Sequence, residues 1–350
     1  MNATIEINGR RIGTGLPVYI VAELSANHHQ NFDEAAKLIA AAKEAGADAI
    51  KLQTYTADTL TIDSDKPYFR IGRGTIWEGR TLHDLYGEAY TPWEWQPKLK
   101  AIAEELGMDL FSSPFDASAV AFLEGMNVPA YKIASFELVD LPLIAAVART
   151  GKPVIMSTGM ATFEEIEEAV GAARAGGTSE LALLKCTSSY PAPPSEMNLR
   201  TIPHLAGAFG VPVGLSDHTM GVAAPLAAVA MGACMIEKHF TLSRSAPGPD
   251  SAFSLEPHEF KAMVDAVRIA EQSLGEIHYG ASEAEAASRI FRRSLFVVED
   301  VRAGEPFTSR NVRSIRPAHG LHTRHLGEVL GRRATRDIER GTPLSWDLIE

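Results

Sequence analysis

The pattern that most constrains this chain lies between residue 18 and about 274, where eight short apolar runs alternate with amphipathic helical stretches. The runs are VYIVAELS (18–25), DAIKLQTY (48–55), DLFSSPF (109–115), AYKIAS (130–135), PVIMSTG (153–159), LALLKCTSSYP (181–191), VPVGLSDHT (211–219) and CMIEKHFTL (234–242). Nearly continuous apolar character is what a strand shows when it is buried on both faces, as in a parallel sheet covered by helices. Between the runs lie segments such as DEAAKLIAAAKEAG, FEEIEEAVGAARAGG and EPHEFKAMVDAVRIAEQSLG, each with one apolar stripe and several ending in glycine. Eight such units imply closure, so the expected fold class is α/β, a (β/α)8 TIM barrel over residues 1–274.

The interval 56–94 is too long for an ordinary βα connection, and its segment GTIWEGRTLHDLYGEAYTPWEW is dense in aromatic residues, so it reads as a functional lid. After Gly275 a polar stretch, GEIHYGASEAEAASRI, reads as a linker over 275–290. Residues 291–350 then show short alternating strands broken by AGE and RGT turns, which predicts a small β-rich domain. A chain of 350 residues has room for both parts.

The formal charge of −11, from 33 Lys plus Arg against 44 Asp plus Glu, speaks against a nucleic-acid partner, because phosphate neutralisation needs a basic face. No run of ~18 apolar residues is present for a membrane span and the N-terminus lacks an apolar signal core. Cys186 and Cys234 make no disulfide scaffold, which fits a reducing cytoplasm, and each reads as a buried structural thiol.

In such a barrel the active site is built where the strands end. Here they end in Glu23, Lys51, Gln53, Ser112, Ser113, Lys132, Ser135, Ser157, Thr158, Lys185, Ser188, Ser216, His218, Glu237 and His239. Three lysines and several serines on one mouth describe a basin for phosphate and carboxylate groups, although any one lysine is equally well a barrel-top ion pair. His218 and His239 close neighbouring strands, so two imidazoles meet one cation in an open site of the Mn²⁺ type rather than a closed zinc site. Asp217 and Glu237 are candidates to support that site or to act as base. His28, His29, His83 and His204 are expected in solvated loops or helices, with His28 and His29 nearest the mouth. Tyr190 and the proline-rich turn after it would stiffen one wall, and Asp250 in SAPGPDSAFSL would accept hydrogen bonds from a sugar.

Taken in order, AELSANHHQNFDEAAKLIAAAKEAGADAIKLQTY, YKIASFEL, STGMAT, KCTSSYPAP, GLSDHT, IEKHF and the C-terminal part resemble the sialic acid synthases, the nonulosonate synthases that condense phosphoenolpyruvate with an N-acetylated amino sugar. The last ~60 residues are similar to the family's antifreeze-like SAF domain, a β-clip module. The resemblance implies a divalent cation, Mn²⁺, Mg²⁺ or Co²⁺, on His218 and His239. It implies phosphoenolpyruvate on Lys51, Ser113, Lys132, Ser135, Ser157, Ser188 and Ser216. Glu23 would act on the sugar or the attacking water, with Glu137 and Glu237 supporting proton transfer and the cation's surroundings. Gln53, Tyr190 and Asp250 would contact the acceptor. A domain-swapped homodimer is implied as well, with Arg316 of IRPAHG reaching a partner's barrel and Phe291 packing there. Ser188 stands where the N-acetylneuraminate branch carries asparagine, which favours the branch that takes 2,4-diacetamido-2,4,6-trideoxy-L-altrose, the legionaminate branch being its nearest competitor. For that sugar the apolar wall would come from Tyr190, Phe115 and the lid aromatics Tyr68, Phe69 and Trp77. A non-catalytic sugar- or phosphate-binding protein and a metal-dependent aldolase are the rival readings.

Overall fold

The computed structural model describes residues 3–246 and 248–350, and they divide into two compact units at Gly275/Glu276. In the first unit, every one of the eight runs forms a strand. Leaving β1 and β2 for a hairpin described below, these are β3 (Tyr19–Glu23), β4 (Ala49–Thr54), β5 (Asp109–Pro114), β6 (Tyr131–Ile133), β7 (Val154–Ser157), β8 (Leu181–Cys186), β9 (Val213–Asp217) and β10 (Met235–His239). They form one closed barrel, all neighbours parallel, sealed where β10 pairs with β3 in the register Met235↔Tyr19 to His239↔Glu23.

Helices alternate with the strands because the local signals agree with the pattern. Asn31 caps the helix Phe32–Glu44 by accepting from the Glu34 amide, and Thr162 and Glu165 form a reciprocal capping box on Phe163–Ala175. The long helix Pro257–Leu274 starts with proline in its first turn and buries Phe260, Met263, Val264 and Val267. Each such fully buried side chain stabilises the fold by roughly 1.5–3 kcal/mol.

Strand alternation sorts the barrel into two faces. Ile20, Ala22, Ile50, Leu52, Leu110, Tyr131 and Ile133 face the helices, whereas Tyr19, Val21, Ala49, Phe111, Ala130, Ile155, Ala182, Leu184 and Met235 fill the interior. One element escaped the sequence reading, which began its count at residue 18. Thr4–Ile7 (β1) and Arg10–Gly13 (β2) form an antiparallel hairpin whose turn, Asn8-Gly9, has φ of +48° and +79°. Asn-Gly between two alternating runs is the strongest short hairpin signal and was there to be read. Ile5, Ile7 and Ile12 join the interior cluster and plug the end of the barrel where the strands begin.

The second unit has its own core of Leu295, Val297, Val301, Phe307, Val312, Val329, Ala334, Ile338, Leu344 and Leu348. Its one regular ladder pairs β11 (Ser294–Val297) with β12 (Val312–Ile315). Isolated bridges such as Val301↔Ile338 and Ala334↔Ile349 replace the further strands the alternation suggested, because the turns come too often for longer ladders. The polar stretch before it carries the short helix Glu283–Ala286. Among the described residues no helix is long and apolar enough to cross a membrane.

Candidate active site

Period-2 alternation decides which strand-end residues enter the barrel. Counting outward from the interior cluster, Glu23, Lys51, Gln53, Ser113, Lys132, Ser157, Cys186, Ser216, Glu237 and His239 point inward. Of these, Lys51, Gln53, Lys132, Ser157, Cys186, Ser216, Glu237 and His239 line a cavity of about 380 Å³ at the ends of the strands, while Glu23 and Ser113 are fully buried and do not line it.

The floor is a stack of alternating charges. Lys51 ion-pairs with Glu23, and its Nζ stands 3.6 Å from Glu237 Oε1. Lys132 Nζ donates to the same Oε1 at 3.2 Å, and Ser216 Oγ donates to it at 3.0 Å. Burial drives the Glu237 carboxyl up, but Lys132 and Lys51 outweigh that and hold it below the ordinary range. Glu23 goes the other way, since burial raises it more than Lys51 lowers it. Burial alone would pull Lys51 down, yet the two carboxylates hold it above its usual value, whereas Lys132 is lowered because its desolvation is not matched. The basin expected from the lysines is therefore internally compensated: each ammonium already has a carboxylate partner.

Above the lysines lies a ring of hydroxyls. Ser113 and Ser157 are buried with no hydrogen-bond partner for Oγ, and of the two Ser157 lines the cavity, which leaves its hydroxyl as a donor for a ligand. Ser135 Oγ accepts from the Gly159 amide at 3.1 Å. A Cβ at Gly159 would collide with Ser188 Oγ and stand 2.7 Å from Ser135 Oγ, so glycine is what lets these two serines converge.

His218 and His239 stand side by side, ring centroids 5.4 Å apart. His218 Nδ1 is 2.9 Å from the Thr187 carbonyl, to which it donates, and this leaves Nε2 with its lone pair. His239 Nδ1 is buried without a partner, and burial and then His218 hold its pKa well below the ordinary value, so the ring is neutral. Tyr190 covers His218 at 4.4 Å and Phe253 meets His239 at 4.8 Å. Cys186, read as structural, instead lines the cavity with Sγ 3.9 Å from His218 Nδ1; burial pushes its thiol up, but His218 and Ser135 outweigh this and bring it down to about 7. Cys234 is structural, buried and pushed up to about 12 by desolvation.

The opposite wall is apolar. Tyr55 packs against Phe115 at 5.1 Å and Tyr86 at 5.7 Å, and the lid adds Ile71, Leu82 and Leu85. Trp77 lies 5.6 Å from Tyr190, and its Nε1 donates to the Pro249 carbonyl at 2.9 Å, closing the lid onto the loop after β10. Tyr68, proposed for this wall, is 89% exposed, and neither it nor Phe69 lines the cavity; the helix Leu82–Ala89 supplies the wall instead. Gln53, Ser25 and Asp250 make the polar edge.

Two other expectations need correction. Lys185 and Asp217 occupy outward positions of their strands: Lys185 Nζ donates to the Cys186 carbonyl at 2.7 Å, and Asp217 is held in a fully buried pair with Lys238 at 2.6 Å. Neither faces the cavity. His28 is not solvated but buried, 3.1 Å from Thr91 Oγ1, with burial taking its pKa down to about 4; His29, partly buried, stands 2.8 Å from Glu34. Phe291 and Arg316 belong to the second unit, where both are exposed.

Glu137, in the turn Ser135–Glu137 after β6, lines the cavity with Oε2 buried and unpartnered, and burial raises it from 4.5 to about 7. A carboxyl raised in the folded state adds stability that is fully present below pH 4.5 and is lost as pH rises through about 7. Glu137→Gln is therefore expected to be more stable than the wild type at pH 8 by about 2–3 kcal/mol and to show no such gain at pH 4.5, measured by denaturant unfolding. Equal stability of the two proteins at pH 8 would refute the assignment.

The chain is 47% identical over 331 residues to the pseudaminic acid synthase of Campylobacter jejuni, covering 95% of this chain and 96% of the relative. It is 35% identical over 356 residues to the N,N'-diacetyllegionaminic acid synthase of Legionella pneumophila, covering both chains fully. The crystal structure of the Bacillus subtilis spore coat polysaccharide biosynthesis protein SpsE superposes with a TM-score of 0.68 at 36% identity, over 99% of each chain. The model of the NeuB family matches residues 38–279 and that of the SAF domain matches residues 292–350. The cavity with its paired lysines and histidines thus sits in the part of the chain that carries the family match, and the chain belongs to the NeuB family, with a SAF domain at its C-terminal end.

Proposed function

We propose that the protein condenses phosphoenolpyruvate with 2,4-diacetamido-2,4,6-trideoxy-L-altrose and water to give pseudaminic acid and phosphate. The observation that carries this reading is the order of groups in one cavity: paired lysines and free hydroxyls on one side, an apolar wall on the other, and two adjacent histidines with them. Kinship at 47% identity with a pseudaminic acid synthase supports the choice of acceptor over that of the legionaminate and neuraminate branches.

In this reading Lys51, Lys132 and the hydroxyls of Ser113, Ser135, Ser157, Ser188 and Ser216 hold the phosphate and carboxylate of phosphoenolpyruvate. Tyr55, Tyr86, Phe115, Ile71 and Leu82 receive the C6 methyl and the 4-acetamido methyl, for which burial of each CH₂-sized group is worth about 0.8 kcal/mol. Tyr190, Gln53 and Asp250 contact the sugar's polar edge. The histidine pair fits a divalent cation, Mn²⁺, Mg²⁺ or Co²⁺: both rings offer a lone pair, one held by its Thr187 bond and the other neutral with an orphaned nitrogen. Among the described residues no cluster of three or more His, Cys, Asp or Glu has metal-ligand spacing, so water and substrate oxygens would complete the shell. When bound there, the cation would polarise the C1 aldehyde of the open-chain sugar.

The protein's own groups do the rest. C3 of the enol attacks the aldehyde carbon, and positive charge develops at C2. Glu23, whose carboxyl is raised by burial and ion-paired with Lys51, takes a proton from the water that adds there. The tetrahedral product breaks its C2–O bond, and Lys51 and Lys132 stabilise the departing phosphate. Glu137, neutral below pH of about 7, is placed to return a proton, with Glu237 holding the two lysines in position.

The same reading makes residues 1–274 the catalytic barrel, 275–290 a linker and 291–350 the SAF domain. It includes a swapped homodimer in which Arg316 and Phe291, both exposed on the second unit, serve a partner's acceptor site. It places the protein in the cytoplasm, where Cys186 and Cys234 stay reduced. The test is a panel of open-chain-accessible amino sugars with phosphoenolpyruvate and Mn²⁺, read by phosphate release and by mass of the nine-carbon acid. Product only with 2,4-diacetamido-2,4,6-trideoxy-L-altrose is expected; product only with N-acetylmannosamine or the stereoisomeric legionaminate precursor would move the protein to another branch, and sugar binding without phosphate release would mean a binding protein.

A further inference from the structure

The turn after β3 carries a strained residue that the reaction scheme leaves without a role. Ser25 has φ of +43°, in the left-handed region that favours glycine, and is 4% exposed. Glycine would occupy this seat without steric cost, so the serine keeps an unfavourable backbone in order to place a hydroxyl. That hydroxyl is fully engaged. Ser25 Oγ donates its single proton to Asp250 Oδ2 and accepts from Gln53 Nε2 at 3.0 Å, while the Ser25 amide donates to Glu23 Oε1 at 2.9 Å. Gln53 Nε2 donates its other proton to Glu23 Oε1 at 3.3 Å. Both amide protons of Gln53 are thus used inside the protein, which leaves Oε1 as its hydrogen-bonding atom for a ligand.

We propose that Ser25 is a positioning residue for the acceptor sugar: its hydroxyl ties Asp250, on the loop after β10, to Gln53 on β4 and sets both to present acceptor oxygens. The sugar edge that fits is one of hydrogen-bond donors, an acetamido N–H and a hydroxyl. This rests on the reading above that Gln53 and Asp250 face the acceptor. Phosphoenolpyruvate, which carries no such donors, has no use for this edge.

The test compares Ser25→Gly and Ser25→Ala with the wild type in steady-state kinetics, thermal melting and crystal structures. Both variants are expected to raise the acceptor KM by about tenfold, the scale of one well-placed hydrogen bond, and to leave the phosphoenolpyruvate KM within about twofold. Ser25→Gly is expected to melt no lower than the wild type because it removes the strain. An unchanged acceptor KM, or an equal rise in both KM values, overturns the proposal. If the wild type turns over no sugar of this class, it is the functional reading that fails, and the Ser25→Gly crystal structure then decides the role of Ser25: Gln53 and Asp250 displaced uphold it, and both unmoved overturn it.

Discussion

Alanine in place of His218 or His239 is expected to lower turnover by on the order of 10³-fold or more while leaving the barrel folded, because in the proposed reaction several kcal/mol of charge stabilisation at the aldehyde would depend on the pair. Both side chains sit at the cavity rather than in the helix-facing core, so the melting midpoint should move by only a few degrees. The diagnostic comparison is with chelated wild type. Chelation should bring the wild type down to the level of the variants and should not lower the variants further. Either histidine variant retaining full turnover after exhaustive chelation would sink the assignment.

Glu237→Gln should have the largest effect on stability. Its carboxylate is the shared counter-charge of Lys132 at 3.2 Å and Lys51 at 3.6 Å, and all three are buried. Replacing it with an uncharged amide leaves Lys132 without a carboxylate partner among the ion pairs of the floor, and removing one member of such a buried set costs about 3–5 kcal/mol. An anion in the cavity can take over the missing charge. Inorganic phosphate or phosphoenolpyruvate should therefore raise the variant's unfolding midpoint more than the wild type's. Denaturant unfolding with and without phosphate reads both effects, and a variant as stable as the wild type, indifferent to phosphate, would show that the two lysines do not depend on Glu237.

Much of this architecture is written in the chain at the level of pattern. The eight barrel strands coincide with the eight apolar runs because burial on both faces imposes a signature no loop shares. The NeuB family was legible because its motifs sit on those strand ends, and the SAF domain because short alternating strands broken by turns follow residue 290. What failed was resolution within a strand. Lys185 and Asp217 lie one position from inward residues, and period-2 alternation turns a one-residue difference into opposite faces, as Cys186 and Ser216 show. The lid was recognised as a lid, but which aromatics face inward depends on the helix Leu82–Ala89, whose single buried position, Leu85, gives too weak a periodicity to read. The compensation of Lys51 and Lys132 by Glu23 and Glu237 is a tertiary fact: Lys51 meets Glu23 across the neighbouring strands β4 and β3, whereas Lys132 on β6 reaches Glu237 on β10, strands that are not neighbours in the barrel and lie far apart along the chain.

The hairpin at the start of the chain bears on how the protein is made. Ile5, Ile7 and Ile12 leave the ribosome before the barrel strands, yet their interior cluster includes Leu184, Cys234 and Met235, which are synthesised much later. The barrel itself cannot close until β10 reaches β3, pairing Met235 with Tyr19. Throughout that interval the three isoleucines have no interior to plug, and β3 keeps an open edge able to pair with another chain. Synthesis from the N-terminal side thus leaves these isoleucines without their interior partners until nearly the whole barrel has been made.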